Sequence, residues 1–177
     1  MSRYAMLFKK DRCIGCNACV VACQQSYGLD EKHKPNWVEV IEEGEFPEPT
    51  LEFIPMLCGQ CDNAGCIEAC PVDEATYQKD NGVVVIIKDE CISCEECIEG
   101  CPYGARTWDE ETDLPVKCDF CHNRIIKGEQ TFCVKTCPTE ARLLLDLEDL
   151  SPEEEKMLEE AKKLEDREGT IPEVYFL

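Results

Sequence analysis

An α+β fold is predicted: two small units of short hairpins and helices, one nested inside the other, with a C-terminal helical tail. Three observations predict it. The 16 cysteines fall into four blocks of four. The residues that close the later blocks echo one another: Cys101-Pro102-Tyr-Gly-Ala105-Arg106 matches Cys137-Pro138-Thr-Glu-Ala141-Arg142, and Cys70-Pro71-Val-Asp-Glu-Ala75 repeats the pattern with one insertion. Such echoes mark an internal repeat. Between blocks lie short strand-like runs punctuated by turn residues.

In chain order, R-Y-A-M-L-F reads as a first strand that leads into block one, Cys13, Cys16, Cys19 and Cys23. A helical turn is expected over Asn17 to Gln25, and no proline follows Cys23. Residues 24–57 hold no cysteine. Trp37 to Ile41 alternates like a strand, while Gly44, Pro47, Pro49 and Pro55 mark irregular structure that connects the first block to the second. Block two is Cys58, Cys61, Cys66 and Cys70, with a longer second gap, Asp62 to Gly65. A hairpin then turns at Asn81-Gly82, a pair suited to a type I′ turn, and Val83 to Ile87 is apolar throughout, as a strand buried on both faces would be.

Block three is Cys91, Cys94, Cys97 and Cys101. After Pro102, R-T-W and L-P-V-K flank D-E-E-T-D as a second hairpin. Block four is Cys118 and Cys121, an eleven-residue gap, then Cys133 and Cys137, followed by a last strand at A-R-L-L-L-D-L. In the tail, Ser151-Pro152-Glu153-Glu154 is a capping box with proline at the first helical position. Met157, Leu158, Ala161 and Leu164 share a face, Gly169 is a suitable stop, and the apolar end at Val174 to Leu177 is expected to dock on its own domain or on a partner.

The block spacing points to iron and sulfur. C-I-S-C-E-E-C-I-E-G-C-P is the bacterial ferredoxin run C-x2-C-x2-C-x3-C-P. Three thiolates at steps of three residues converge on one object, and a four-iron cubane needs a fourth. In two-cluster ferredoxins that ligand is the cysteine before proline in the other block. The expected sets are therefore Cys58, Cys61, Cys66 with Cys101; Cys91, Cys94, Cys97 with Cys70; Cys13, Cys16, Cys19 with Cys137; and Cys118, Cys121, Cys133 with Cys23. All sixteen cysteines are used, for four [4Fe-4S] clusters, and none is missing that would leave a three-iron form. The corresponding division is two nested bacterial-ferredoxin-like units: an inner one at 58–101, an outer one from 1–57 and 102–147, and an acidic helix and docking tail at 148–177.

Zinc is the alternative metal. Block four alone could be a zinc ribbon, whereas C-x2-C-x2-C is poor tetrahedral spacing for one zinc. A disulfide scaffold suits the even cysteine count but not a reducing compartment. The opening M-S-R-Y-A-M-L-F-K-K-D-R holds neither a long apolar run nor a twin arginine, so the expectation is a chain without a signal peptide, cytoplasmic unless exported with a signal-bearing partner. No apolar run approaches the roughly 20 residues of a membrane-spanning helix. Lys and Arg number 18 against 38 Asp and Glu, a formal charge of −20, which four oxidised clusters would carry toward roughly −28. That charge repels nucleic acid and anionic membrane surfaces. His33, in K-H-K-P, reads as a surface histidine. His122, after Cys121, reads as packing or as a hydrogen bond near a cluster sulfur. Trp37 and Trp108 read as core or interface. No nucleophile with its base, phosphate loop or paired acid and base is evident.

The four cysteine groups in this order, the wide gap in the fourth, K-C-D-F-C at its start, the C-P-x-x-A-R echoes and the V-Y-F-L ending resemble the four-cluster iron–sulfur subunits of the dimethyl sulfoxide reductase type, similar to those of polysulfide reductase and formate dehydrogenase. The resemblance covers residues 4 to about 145. It implies an electron-transfer subunit that wires a large molybdenum or tungsten pterin catalytic subunit to a quinone-linked membrane subunit or another carrier. It implies no catalytic site in this chain, and without an anchor no direct membrane insertion. A free soluble polyferredoxin is the alternative function, and a structural zinc protein a third. The charge-balanced stretch from Arg106 to Arg142 is expected to face the catalytic partner.

Overall fold

The structure, a computed structural model, describes residues 2–177. Strand β1 (Tyr4–Phe8) lies at the centre of its main sheet. On one side it pairs antiparallel with β8 (Arg142–Asp146), Tyr4 opposite Asp146 and Phe8 opposite Arg142. On the other it runs parallel to β10 (Val174–Phe176), with Met6 opposite Val174. The antiparallel β9 (Lys162–Lys163) completes the four strands. Ala5 to Phe8 are fully buried, which explains why this strand reads as a continuous apolar run rather than an alternating one.

Three two-stranded hairpins stand around that sheet. The first, β2 (Asn36–Glu43) with β3 (Thr50–Leu57), is longer than the alternation at Trp37 to Ile41 foretells. Of the residues that marked irregular structure, Gly44, Pro47 and Pro49 lie in the connection between the strands, and Pro55 lies in the second strand. Pro55 sits opposite Val38 in a two-stranded ladder, where the missing N–H can face outward. The second, β4 (Thr76–Gln78) with β5 (Val84–Ile86), turns through Asp80-Asn81-Gly82. Its turn is not type I′. Of the central residues only Gly82 has a positive φ, +81°, while Gly82 N–H donates to the Lys79 carbonyl (2.9 Å) and Lys79 N–H to that of Val83 (2.9 Å). That is a type I turn closed by a glycine bulge, which needs the left-handed region at one residue only. The third hairpin is β6 (Thr107–Asp109) with β7 (Leu114–Val116).

The helices are short, apart from α1 (Ala18–Tyr27) and α6 (Pro152–Glu160). α2 (Gly65–Glu68) packs on α3 (Glu96–Glu99), and α4 (His122–Ile125) is followed by α5 (Phe132–Lys135), which packs on α1. The first of these contacts is close. A Cβ on Gly65 would stand 2.7 Å from the Gly100 carbonyl, so both positions exclude any side chain. α6 starts with the Ser151–Glu154 capping box but stops at Glu160, short of the apolar pattern that runs on to Leu164. Lys162 and Lys163 pair with β10 instead, and Leu164 N–H donates to the Val174 carbonyl (2.7 Å). Ladder bonds and burial of Leu164 against the core outweigh one further helical turn. The mixed helix and strand content is that of an α+β fold.

Candidate functional site

Every cysteine block is built the same way at its start. The residue before the second cysteine is left-handed in all four: Gly15 (φ +66°), Gln60 (+48°), Ser93 (+58°) and Phe120 (+51°). Blocks one and three repeat that conformation after the second cysteine, at Asn17 and Glu95. Alternation of this kind turns successive backbone N–H groups to one side, a concavity suited to an anion. The third cysteine then opens or enters a helix, α1, α2, α3 or α5, and is buried in each: Cys19, Cys66, Cys97 and Cys133. The fourth follows four residues later, within α1 for Cys23 and just beyond the ends of α2, α3 and α5 for Cys70, Cys101 and Cys137.

Thiols of different blocks are brought together. Cys13, Cys16, Cys19 and Cys137 line one small cavity, with Arg142 at its wall. Cys23, Cys118, Cys121 and Cys133 line a larger one, about 420 Å³. Cys61 lies within electrostatic reach of Cys58, Cys66 and Cys101. Cys97 lies within reach of Cys70 and Cys91. Cys16 and Cys94 are exposed, while of their counterparts Cys121 is buried and Cys61 half-buried. Exposed Ile14 and Ile92 stand beside the two exposed thiols.

These thiols are not suited to being free acids. Burial, then neighbouring cysteines, pushes Cys23 and Cys61 up to about 12, and the buried Cys118 well above the ordinary thiol value. A thiol held protonated in this way ionises when a metal takes the place of its proton. Donors stand ready for the resulting charge. Phe120 N–H points to Cys118 Sγ (3.4 Å) and Ala141 N–H to Cys137 Sγ (3.2 Å). At Cys137 burial is outweighed by Ala141, Thr139 and Arg142, and its pKa is lowered. Among the described residues, no three His, Cys, Asp or Glu side chains converge as they would on a single metal ion. The residues present fit an iron–sulfur group: soft thiolate donors, and buried donors without partners, Arg106 Nε and Nη1 and Arg142 Nη1 and Nη2. A bound cubane supplies one-electron chemistry with a potential set by hydrogen bonds, charge and exposure.

Other residues around the thiols differ from their sequence expectation. His33 is buried, 8% exposed, rather than on the surface. Its Nε2 donates to the Trp108 carbonyl (2.8 Å) and its Nδ1 to Asp30 Oδ1 (2.5 Å), so both ring nitrogens face acceptors. The contact joins positions 75 residues apart, beyond any local pattern. His122 lines the larger cavity with Nδ1 buried and unpartnered, and burial, with Lys79 nearby, lowers its pKa. Gln60, fully buried, donates to the Cys118 carbonyl (2.7 Å) and accepts from Val84 N–H (2.8 Å), linking block two to block four. Only its place between two block-two cysteines could have drawn attention to it. Trp37 and Trp108 are both half-buried, and Trp37 packs against the core.

Half of the sixteen thiols are buried, and several of them belong to the core, as they would in a cluster-binding protein. Comparison with known proteins agrees. Residues 49–147 match a 4Fe-4S dicluster domain family and residues 12–74 a second of the same description. The matches overlap at 49–74 and between them span all four blocks. A tetrathionate reductase subunit of Salmonella typhimurium is 37% identical over 99% of this chain and 72% of its own length. A polysulfide reductase chain of Wolinella succinogenes is 34% identical over 99% of this chain and 94% of its own length. A putative dimethyl sulfoxide reductase iron–sulfur subunit of Halobacterium salinarum is 34% identical over all of this chain and 79% of its own length. The protein belongs to this family of 4Fe-4S dicluster proteins, the iron–sulfur electron-transfer subunits of reductases. Among the described residues, no helix is long and apolar enough to cross a membrane.

Proposed function

We propose that the chain relays single electrons through four [4Fe-4S] clusters between a molybdenum or tungsten pterin catalytic subunit and a second redox partner. One observation supports the reading: where cavities and proximity bring thiols together, a single cysteine of one block joins those of another, as the ferredoxin rule requires. The ligand sets are Cys13, Cys16, Cys19 with Cys137; Cys23 with Cys118, Cys121, Cys133; Cys58, Cys61, Cys66 with Cys101; and Cys70 with Cys91, Cys94, Cys97. The inner unit comprises 58–101, the outer unit 1–57 with 102–147, and the tail 148–177. Pairing of β1 with β8 and packing of α1 on α5 support an outer unit of blocks one and four, and packing of α2 on α3 supports an inner one.

The grouping implies an order. Packing of α2 on α3 joins the two inner sets, Gln60 joins block two to block four, and α1 carries both Cys19 and Cys23. The sequence of centres is thus block three, block two, block four, block one. The exposed cysteines Cys94 and Cys16 fall at its two ends, where partners would exchange electrons. The catalytic partner is proposed from the relatives, which are named as subunits of tetrathionate, polysulfide and dimethyl sulfoxide reductases. A cytoplasmic location accords with thiols that must stay reduced until iron arrives.

Purification from the native source under mild conditions tests the reading. A large subunit carrying molybdenum or tungsten should co-elute with this chain. Elution of all the protein as a cluster-bearing 20.1 kDa monomer would contradict it and favour a free polyferredoxin.

A further inference from the structure

The Ala-Arg that follows two of the Cys-Pro pairs places two cations deep in the protein. Arg106 and Arg142 are each only 2% exposed. Neither forms an ion pair with a carboxylate among the described residues. Arg106 Nη2 donates to Thr76 Oγ1 (2.8 Å), while its Nε and Nη1 are buried without a partner. Arg142 lies over the Phe8 ring, 4.9 Å from its centre, and both its terminal nitrogens are unpartnered. An unpaired buried cation is among the costliest groups a fold can hold, so it requires an anion.

The surroundings supply one. Burial opposes the charge of Arg106, but Cys66, Cys97 and Cys58 favour it. Those cysteines belong to both inner sets, so Arg106 stands between the block-two and block-three centres. Arg142 faces Cys19 and Cys137, both of the block-one set. The repeat clarifies the arrangement. At the corresponding place after Cys70-Pro71 the residue is Thr76, and that is the side chain Arg106 reaches across to hold. One arginine thus serves the inner pair, and its counterpart position carries only the tether.

We infer that Arg106 and Arg142 are potential-setting residues: buried guanidinium groups that donate to the sulfurs of the centres they face and favour the reduced, more negative state. This rests on the four-cluster reading. Adding one electron adds one negative charge, and a fixed cation nearby lowers the energy of that state, which raises the midpoint potential. Because the cations are enclosed, salt should screen them little.

The test is a redox titration of the purified, iron-loaded protein followed by electron paramagnetic resonance. Arg106→Gln should make the midpoints of the two inner centres more negative and leave the outer two unchanged. Arg142→Gln should shift one outer centre alone. Arg106→Lys should keep its iron and return most of the shift, and Thr76→Val, which removes the tether but not the charge, should shift little. The differences should persist at high salt. Unmoved midpoints in variants that keep their iron overturn the inference. So does an equal shift in Thr76→Val, or loss of iron in the charge-keeping lysine variant. A wild-type protein with far fewer than about sixteen irons would instead fail the four-cluster reading itself.

Discussion

A single side chain, His33, illustrates how the connection between blocks one and two is fixed. Its nitrogens face the Trp108 carbonyl and Asp30, with Asp109 4.0 Å away, and Gln24 Nε2 donates to its own carbonyl (3.1 Å). Burial works against its charge, but those acceptors outweigh it and the pKa is raised. The stabilisation is therefore fully present below the unfolded value near 6.5 and is lost as pH rises through the higher folded value. The difference in denaturation midpoint between the wild type and His33→Gln should be largest at about pH 5 and shrink toward about pH 9; a difference independent of pH would show that the charge is irrelevant. Cys137 is a second such residue. Cys137→Ala should damage the centre on Cys13, Cys16 and Cys19, seen as loss of one resonance signal set, and leave that on Cys118 intact. The cysteines were legible because metal chemistry demands one residue type at short spacing. His33 was not, because its partner lies on a hairpin 75 residues away.

At the scale of elements, the tail does more than end the chain. Three backbone bonds hold it to the block-two loop: Glu173 N–H to the Gly59 carbonyl (2.7 Å), Asp62 N–H to Ile171 (3.1 Å) and Asn63 N–H to Thr170 (3.1 Å). Arg3 bonds Asp62 and lies 3.6 Å from Glu173, which also binds Lys163 (2.9 Å). Gly59 allows the approach, since a Cβ there would stand 2.9 Å from Pro172. Tyr103 fastens the strap. Its hydroxyl bonds the Glu165 carbonyl (2.9 Å) and Thr170 Oγ1 (2.9 Å) and accepts from Arg167 N–H (3.0 Å). Tyr103→Phe should cost about 1–3 kcal/mol and speed iron loss from the block-two centre to a chelator; unchanged stability and unchanged chelation would mean the strap closes without it. The capping box was readable because its signal is local. The end of the helix at Glu160 was not, since it depends on pairing with β10, and the β2–β3 hairpin was half-hidden by Pro47 and Pro49 before its second strand and Pro55 within it.

For the whole molecule, burial and metal binding are one problem. The main core includes Cys19, Cys58, Cys118 and Cys133 beside Phe8, Phe120 and Val83, and a smaller one joins Cys66 and Cys97 to Ala64 and Val84. Ligand binding of this kind contributes directly to folding free energy. The four proposed groups are suggested by the prolines after Cys70, Cys101 and Cys137, whereas the link from block two to block four runs through Gln60 and left no pattern in the sequence. Charge bears on the relay as well. At a formal −20 the shell favours oxidised centres and tends to lower their potentials. The most direct measurement is iron and acid-labile sulfide per chain in protein purified without oxygen. Four cubanes give about sixteen of each. About twelve of each, with one zinc, would contradict the four-cluster relay and assign block four to a zinc site.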